Sequence, residues 1–395
     1  MRFRTGLVGA ALAAALTTGA LAAPAVAGEA TASAAQAPAG PARHGHAATQ
    51  RAMEEAVRDG VPGVTAGAED ARGPWKSAAG IGDLRDGRPR GADDHYRVAS
   101  VTKTFVATVV LQLDTERRLR LDDTVERWLP GVVRGHGHDG RRITLRQLLN
   151  HTSGIYEFLE DKDFRSRFST REALEKHRYD TATARQLVDV AMQHAPYFPP
   201  GTDWHYSNTN YQLLGMVIRK ATGHSYAQEI RHRILRPLGL RHTYVPHTDP
   251  RMPRPSSRGY TRFSADPDER PYDVTEFNPS SASASGGMIS TSADLNRFYS
   301  ALLRGRLLDA RHLAAMKTTV PAEAEHPGAR YGLGLIERRL SCGRTVWGHT
   351  GGIVGSATEA VTTADGRHSL ALNFNGDWAD TAHADAMLEA EFCGR

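Results

Sequence analysis

The stretch Arg97-Val98-Ala99-Ser100-Val101-Thr102-Lys103-Thr104-Phe105 leads into the most clearly periodic segment of the chain. Phe105, Val106, Val109, Val110 and Leu113 recur at intervals of three and four. That spacing predicts a helix over 101–118, with Thr102 adding N-terminal capping. Ser100 and Lys103 stand at its start, three residues apart, so on a helix they share a face and hydroxyl can meet amine. A serine hydroxyl is a poor nucleophile until a neighbouring base takes its proton. A lysine does this when burial or a nearby cation lowers its pKa. The helix start adds backbone N–H groups and a field favouring developing negative charge. The chain has six lysines, and only Lys103 has a serine three residues back. Alone, the pattern fits a helix cap followed by a surface lysine at least as well.

Two further patterns carry chemistry. Tyr206-Ser207-Asn208 follows the rigid turn Phe198-Pro199-Pro200-Gly201, and Tyr206 is the one tyrosine of twelve with Asn two positions on. A phenol relays protons when cations lower its pKa. The amide of Asn208 suits both a lysine and a substrate amide. The plain alternative is a loop tyrosine packed on Trp204. Later, Trp347-Gly348-His349-Thr350-Gly351-Gly352 ends a strand candidate. His349 offers a polar side chain able to carry a positive charge, Thr350 a hydroxyl, and Gly351 a position where substrate approaches unhindered. The plain alternative is a hairpin turn with a surface histidine.

Outward from these patterns, the chain reads as mixed. His46 to Asp59 suggests a short amphipathic helix, and Val61 to Gly80 two strands turning near Asp70 to Gly73. From about 121 to 286 come helices and long loops: Thr144 to Asn150, Thr183 to Gln193 capped by Thr183, Tyr211 to Ala221 stopped by Gly223, and Ser225 to Leu235. A helix over Thr291 to Leu303 follows. Tyr331 to Ile336, Arg344 to His349, Ser356 to Thr362 and His368 to Phe374 read as strands, and Thr381 to Phe392 as a closing helix. The expected fold is α+β: an antiparallel sheet built from both ends of the chain, flanked by helices, with an all-helical inserted lobe over about 105–285.

The first 27 residues read as a signal peptide: Arg2 and Arg4, an apolar run from Leu7 to Ala23, then Ala25-Val26-Ala27. A membrane anchor is the alternative. Residues 28–47 read as a disordered Ala/Pro/Gly-rich leader, and 48–395 as one enzyme domain, making the mature protein secreted. The net charge is +5, of which Arg2 and Arg4 supply two. The basic residues are interleaved with acids, which argues against a nucleic-acid partner. In an exported protein Cys342 and Cys393 suggest one disulfide, with two separate buried thiols as the alternative. No G-x-S-x-G, H-E-x-x-H or C-x-x-C pattern occurs. His136-Gly137-His138 reads better as a solvated loop than as a metal site. No metal or cofactor is expected.

The order S-x-x-K, Y-x-N, H-T-G resembles the serine β-lactamase and penicillin-binding family. Within it, the chain looks most like the soluble, exported D-alanyl-D-alanine carboxypeptidases with a class C β-lactamase-like fold. Supporting stretches are Leu145 to Gly154, His205 to Tyr211, Ala284 to Ser290 and Tyr331 to Leu335. The resemblance implies that Ser100 is acylated, and that Lys103 and Tyr206 share the base role. The backbone N–H groups of Ser100 and Gly352 would form the oxyanion hole. Asn208 would hold the substrate amide, and His349 and Thr350 would support the leaving side. The cysteine pair matches a disulfide of such relatives. Expected partners are a small peptide or a β-lactam, met by a monomer with no membrane span once the signal is removed.

Three positions depart from the carboxypeptidase pattern. Ile336 stands where an arginine would hold a terminal carboxylate, Gly352 replaces a threonine, and Ser281 replaces a tryptophan. Losing the guanidinium weakens carboxylate binding by up to several kcal/mol. The expectation is therefore a D-peptidase on peptidoglycan peptides that binds penicillin. An esterase or β-lactamase on the same scaffold is the nearest alternative. A catalytically silent module that binds β-lactams or peptidoglycan is the alternative from another class.

Overall fold

The computed structural model describes residues 45–264, 266, 269–322 and 328–394. The expected signal peptide and most of the expected leader lie outside the described residues. The leader's last residues do not behave as a leader. His46 bonds Glu391 through Nδ1 at 2.9 Å and stacks on Trp75, and Ala47 already opens a helix.

That helix, α1 (Ala47–Arg58), precedes a hairpin of β1 (Gly63–Asp70) and β2 (Gly73–Asp83). Helix α2 (Thr102–Thr115) follows, and the lobe's longest helix is α3 (Asn208–Thr222). After α4 (Ser292–Leu303) come β3 (Ile336–Arg339), β4 (Thr345–Ile353), β5 (Ser356–Thr363), β6 (Ser369–Phe374) and α5 (Thr381–Cys393). Strands β1 to β6 join one antiparallel sheet, in which β1 lies between β2 and β6, with Val64 opposite Phe374. The two ends of the chain thus meet at the middle of the sheet. Alternation explains its two faces. Val64, Ala66, Leu370, Leu372 and Phe374 pack against α1 and α5 through Met53, Met387 and Phe392. On the other face Gly67 lies under α4, where an added Cβ would come within 3.1 Å of Ser292 Cβ.

Cys342 and Cys393 form a disulfide with Cα atoms 5.7 Å apart, inside the range such a bond requires. It ties the turn after β3 to the end of α5.

Four local expectations change. Helix α2 is not amphipathic, because it runs between sheet and lobe. Thr102 to Leu111 and Leu113 are all buried, as in a helix with no solvent face. Its threonine hydroxyls are nonetheless satisfied: that of Thr108 donates within the helix to Thr104 O at 2.8 Å, and that of Thr104 to Gly334 O, outside it, at 2.8 Å. Thr102 is not a cap, since its hydroxyl accepts from Met288 N at 3.2 Å. The strand expected over 331–336 is broken by a turn, with Gly334 at φ 69°. A side chain at Gly334 would collide with Ala107 and Tyr211. The inserted lobe is helical apart from two short ribbons, Arg134–Gly135 with His138–Asp139 and Tyr260–Thr261 with Tyr272–Asp273. Among the described residues no helix is long and apolar enough to cross a membrane.

Candidate active site

The nucleophile candidate is presented by a kinked entry to α2. The chain leaves the short strand Tyr96–Arg97, turns left-handed at Ala99 (φ 46°), and passes through a tight turn over Ala99–Val101. A non-glycine residue in that region costs about 1–3 kcal/mol and persists only where its surroundings impose it. Here β4 imposes it. A Cβ on Gly351 would lie 2.2 Å from Val98 O and 3.2 Å from both Ala99 Cβ and Ser100 N. The missing side chain of Gly351 therefore serves the approach of the chain's own backbone, not of substrate, and this corrects the sequence expectation.

Lys103 is completely buried. Its Nζ lies 3.0 Å from Ser100 Oγ, 2.6 Å from Asn208 Oδ1 and 2.7 Å from Ser285 O. As an ammonium it has three donors, and these acceptors match them. The cation also sits 4.7 Å from the centre of the Tyr206 ring and 5.4 Å from that of Tyr211. The structure thus brings Ser100, Lys103, Tyr206 and Asn208 together, as the sequence predicts.

Asn208 is oriented by a residue that no motif reveals. Glu157, buried, accepts from the backbone N and from Nδ2 of Asn208, and from Leu159 N at 3.0 Å. Burial pushes its carboxyl pKa up; those three hydrogen bonds and the charge of Lys103 pull the other way. The Asn208 amide therefore bridges carboxyl and ammonium, and part of the donor capacity expected for substrate is already committed. The stretch over 145–154 marks this region in the sequence, but Glu157 lies just past it.

His349 does not supply a cation. It is 1% exposed, and burial, followed by the nearby charge of Lys103, pushes its pKa down to about 3. Its Nδ1 lies 2.6 Å from Thr350 O and its Nε2 2.8 Å from the Tyr331 hydroxyl. Thr350 is half-buried and Gly352 exposed, so these alternate positions of β4 face the open side. Ile336 is buried among Ala322, Ala329 and Tyr331, beside Trp204 and Tyr206. That cluster contributes no cationic side chain to hold a carboxylate. His138 is buried and His136 bonds Met192 O, and no metal-binding group of three occurs among the described residues. A cleft of about 520 Å³ lined by Trp75, Arg297 and Arg304 includes none of the motif residues.

A serine in contact with a buried lysine at the start of a helix, within a sheet-and-helical-lobe fold, defines a class of serine hydrolases. The chain belongs to the Beta-lactamase family, whose profile matches residues 47–393. It is similar to the solved D-stereospecific amidohydrolase from Streptomyces sp., at 54% identity and TM-score 0.83, over 89% of this chain and 100% of that one. It is also similar to the D-amino acid amidase from Ochrobactrum anthropi SV3 complexed with D-phenylalanine, at 29% identity and TM-score 0.77, over 88% and 99%. Penicillin-binding protein 4* of Bacillus subtilis is 29% identical over 79% of this chain and 67% of that protein.

Proposed function

We propose that the protein is a D-stereospecific amidohydrolase that cleaves amide bonds of D-amino acid derivatives and D-peptides through an acyl-enzyme on Ser100. The contact between Lys103 Nζ and Ser100 Oγ at 3.0 Å carries this reading. With Lys103 an ammonium donating to three acceptors, it has no lone pair for the serine proton. Tyr206, whose ring borders that cation, takes the proton, because a neighbouring positive charge favours the phenolate. The proton then passes to the leaving amine. The backbone N–H groups of Ser100 and Gly352 hold the oxyanion, and Thr350 lines the leaving side. Likeness to two D-specific amidases supports the stereochemistry. The apolar surroundings of Ile336 favour substrates without a terminal carboxylate over strict D-alanyl-D-alanine carboxypeptidase action.

The test compares D- and L-phenylalanine amide, an activated D-amino ester, fluorescent penicillin, and a D-Ala-D-Ala peptide with its amidated form. The expected outcome is ammonia release from the D-amide, a D-over-L preference, little difference between the two peptides, and no turnover by Ser100→Ala. A wild-type chain inert toward every amide and ester would sink the hydrolase reading. A strong preference for the free carboxylate would restore the carboxypeptidase reading, and rapid release of hydrolysed penicillin would favour a β-lactamase. Protein recovered from culture medium is expected to begin after Ala27 and to run as a monomer.

A further inference from the structure

Behind the serine site lies a line of buried polar groups that the proposed chemistry does not use. His151 and Tyr331 are both fully buried. His151 Nδ1 lies 3.1 Å from the backbone N of Ser207 and 3.2 Å from Asn210 Nδ2. His151 Nε2 lies 3.3 Å from the Tyr331 hydroxyl, which lies 2.8 Å from His349 Nε2. His349 Nδ1 ends the line at Thr350 O, 2.6 Å away.

Two end groups fix every hydrogen between them. A backbone N–H only donates, so His151 Nδ1 is the acceptor and the ring's hydrogen sits on Nε2. A carbonyl oxygen only accepts, so the hydrogen of His349 sits on Nδ1 and its Nε2 is the acceptor. The Tyr331 hydroxyl then accepts from His151 and donates to His349. This assignment satisfies every contact along the line, with both imidazoles neutral and of opposite tautomers; the Tyr331 hydroxyl also meets that of Tyr211, which lies beside the line. Burial and the charge of Lys103 push the His151 pKa well below its ordinary value, which agrees. The groups facing the pair are Lys103, His205, Tyr206 and Tyr211. His151 also holds a left-handed backbone, φ 63°, an unfavourable conformation that its contacts maintain.

We propose that His151 and Tyr331 are positioning residues: a one-way hydrogen-bond relay through them joins the Tyr206-Ser207-Asn208 loop to the His349-Thr350 strand and keeps His349 a neutral acceptor. The relay begins on the residue between Tyr206 and Asn208 and ends on the carbonyl of Thr350. It therefore sets the spacing between the proton acceptor and the strand that lines the substrate. Only the kinetic arm of its test rests on the hydrolase reading above.

The first arm is NMR of the full chain labelled with 15N-histidine, with His151→Asn and His349→Gln spectra assigning the two rings. The expected result is a neutral Nε2–H ring for His151 and a neutral Nδ1–H ring for His349, neither titrating between about pH 5 and 9. Either ring protonated at neutral pH, or in the other tautomer, overturns the relay. The second arm is kinetic. Tyr331→Phe keeps the ring and removes both links. His151→Asn keeps an acceptor for Ser207 but cannot reach Tyr331. In each, kcat per folded molecule on the activated D-ester should fall roughly tenfold or more while KM stays within about twofold. Unchanged kcat per folded molecule in both variants, or a loss that only tracks unfolding, overturns the proposal. A wild-type chain without turnover would end the hydrolase reading, and the imidazole signals would still decide the relay.

Discussion

Taking an ammonium wholly out of water costs several kcal/mol, and Lys103 recovers it through three acceptors and two aromatic faces. That fixed cation helps keep the neighbouring imidazoles of His151 and His349 neutral, which makes acid a sensitive probe. The pKa of His349 is about 3 in the fold against 6.5 for a free imidazole. Below 6.5 the unfolded chain binds the proton that the folded chain refuses, so stability is full above that value and falls as pH drops toward 3. The melting temperature should therefore fall from pH 7 to pH 4, and His349→Gln should flatten that slope. Equal slopes would contradict the assignment. Ser100, Lys103, Tyr206, Asn208 and His349 were legible because each belongs to a short pattern. Glu157, Ser285, His151 and Tyr331 were not. They act across separations such as the 51 residues between Glu157 and Asn208, or the 182 between Lys103 and Ser285, and no local spacing records such a meeting.

Strain in the elements gathers around the chemistry. Six non-glycine residues have positive φ among the described residues, and Ala99, His151 and Ser283 are three of them. Ala99 precedes the nucleophile, His151 opens the relay, and Ser283 starts the turn that offers Ser285 O to Lys103. At Ala99 the constraint is the close contact of β4 with the nucleophile turn. Gly351→Ala is expected to lower the urea-unfolding free energy by roughly 1–3 kcal/mol, the usual cost of overpacking, and to abolish most turnover by displacing Ser100. Full activity in that variant would mean that the turn is free to move. Capped helices were readable: the hydroxyls of Thr144 and Thr183 each accept from the N–H three residues on, in complete capping boxes. The buried side of α2 was not, because its threonines look polar in a sequence although their hydroxyls find partners inside the fold, Thr108 within the helix and Thr102 and Thr104 beyond it. The break at Gly334 was hidden for a related reason, as its cause is the approach of α2 from far upstream.

At the scale of the molecule, the assembly of one sheet from both ends was visible in the sequence, since strand-like runs flank a helical middle. The order of strands was not, because register is decided by packing against α1, α4 and α5. The disulfide fastens α5 across a separation of 51 residues, and a loop of that length restricts the unfolded chain by about 4 kcal/mol. Cys342→Ser with Cys393→Ser is expected to lower the melting temperature clearly while leaving kcat near wild type, because neither cysteine touches the site. A non-reducing peptide map should show the pair joined, and free alkylation of both thiols would contradict it.

The seam between β1 and β6 has a further consequence in time. A ribosome makes the first hairpin early, yet its inner edge stays unpaired until residues 369–374 have been made. A nascent chain that has not reached β6 therefore has an open sheet, and one that has not reached β4 has no strand beside its nucleophile. Hydrolytic competence should arrive in one late step, once these strands have been made, and not grow gradually with length.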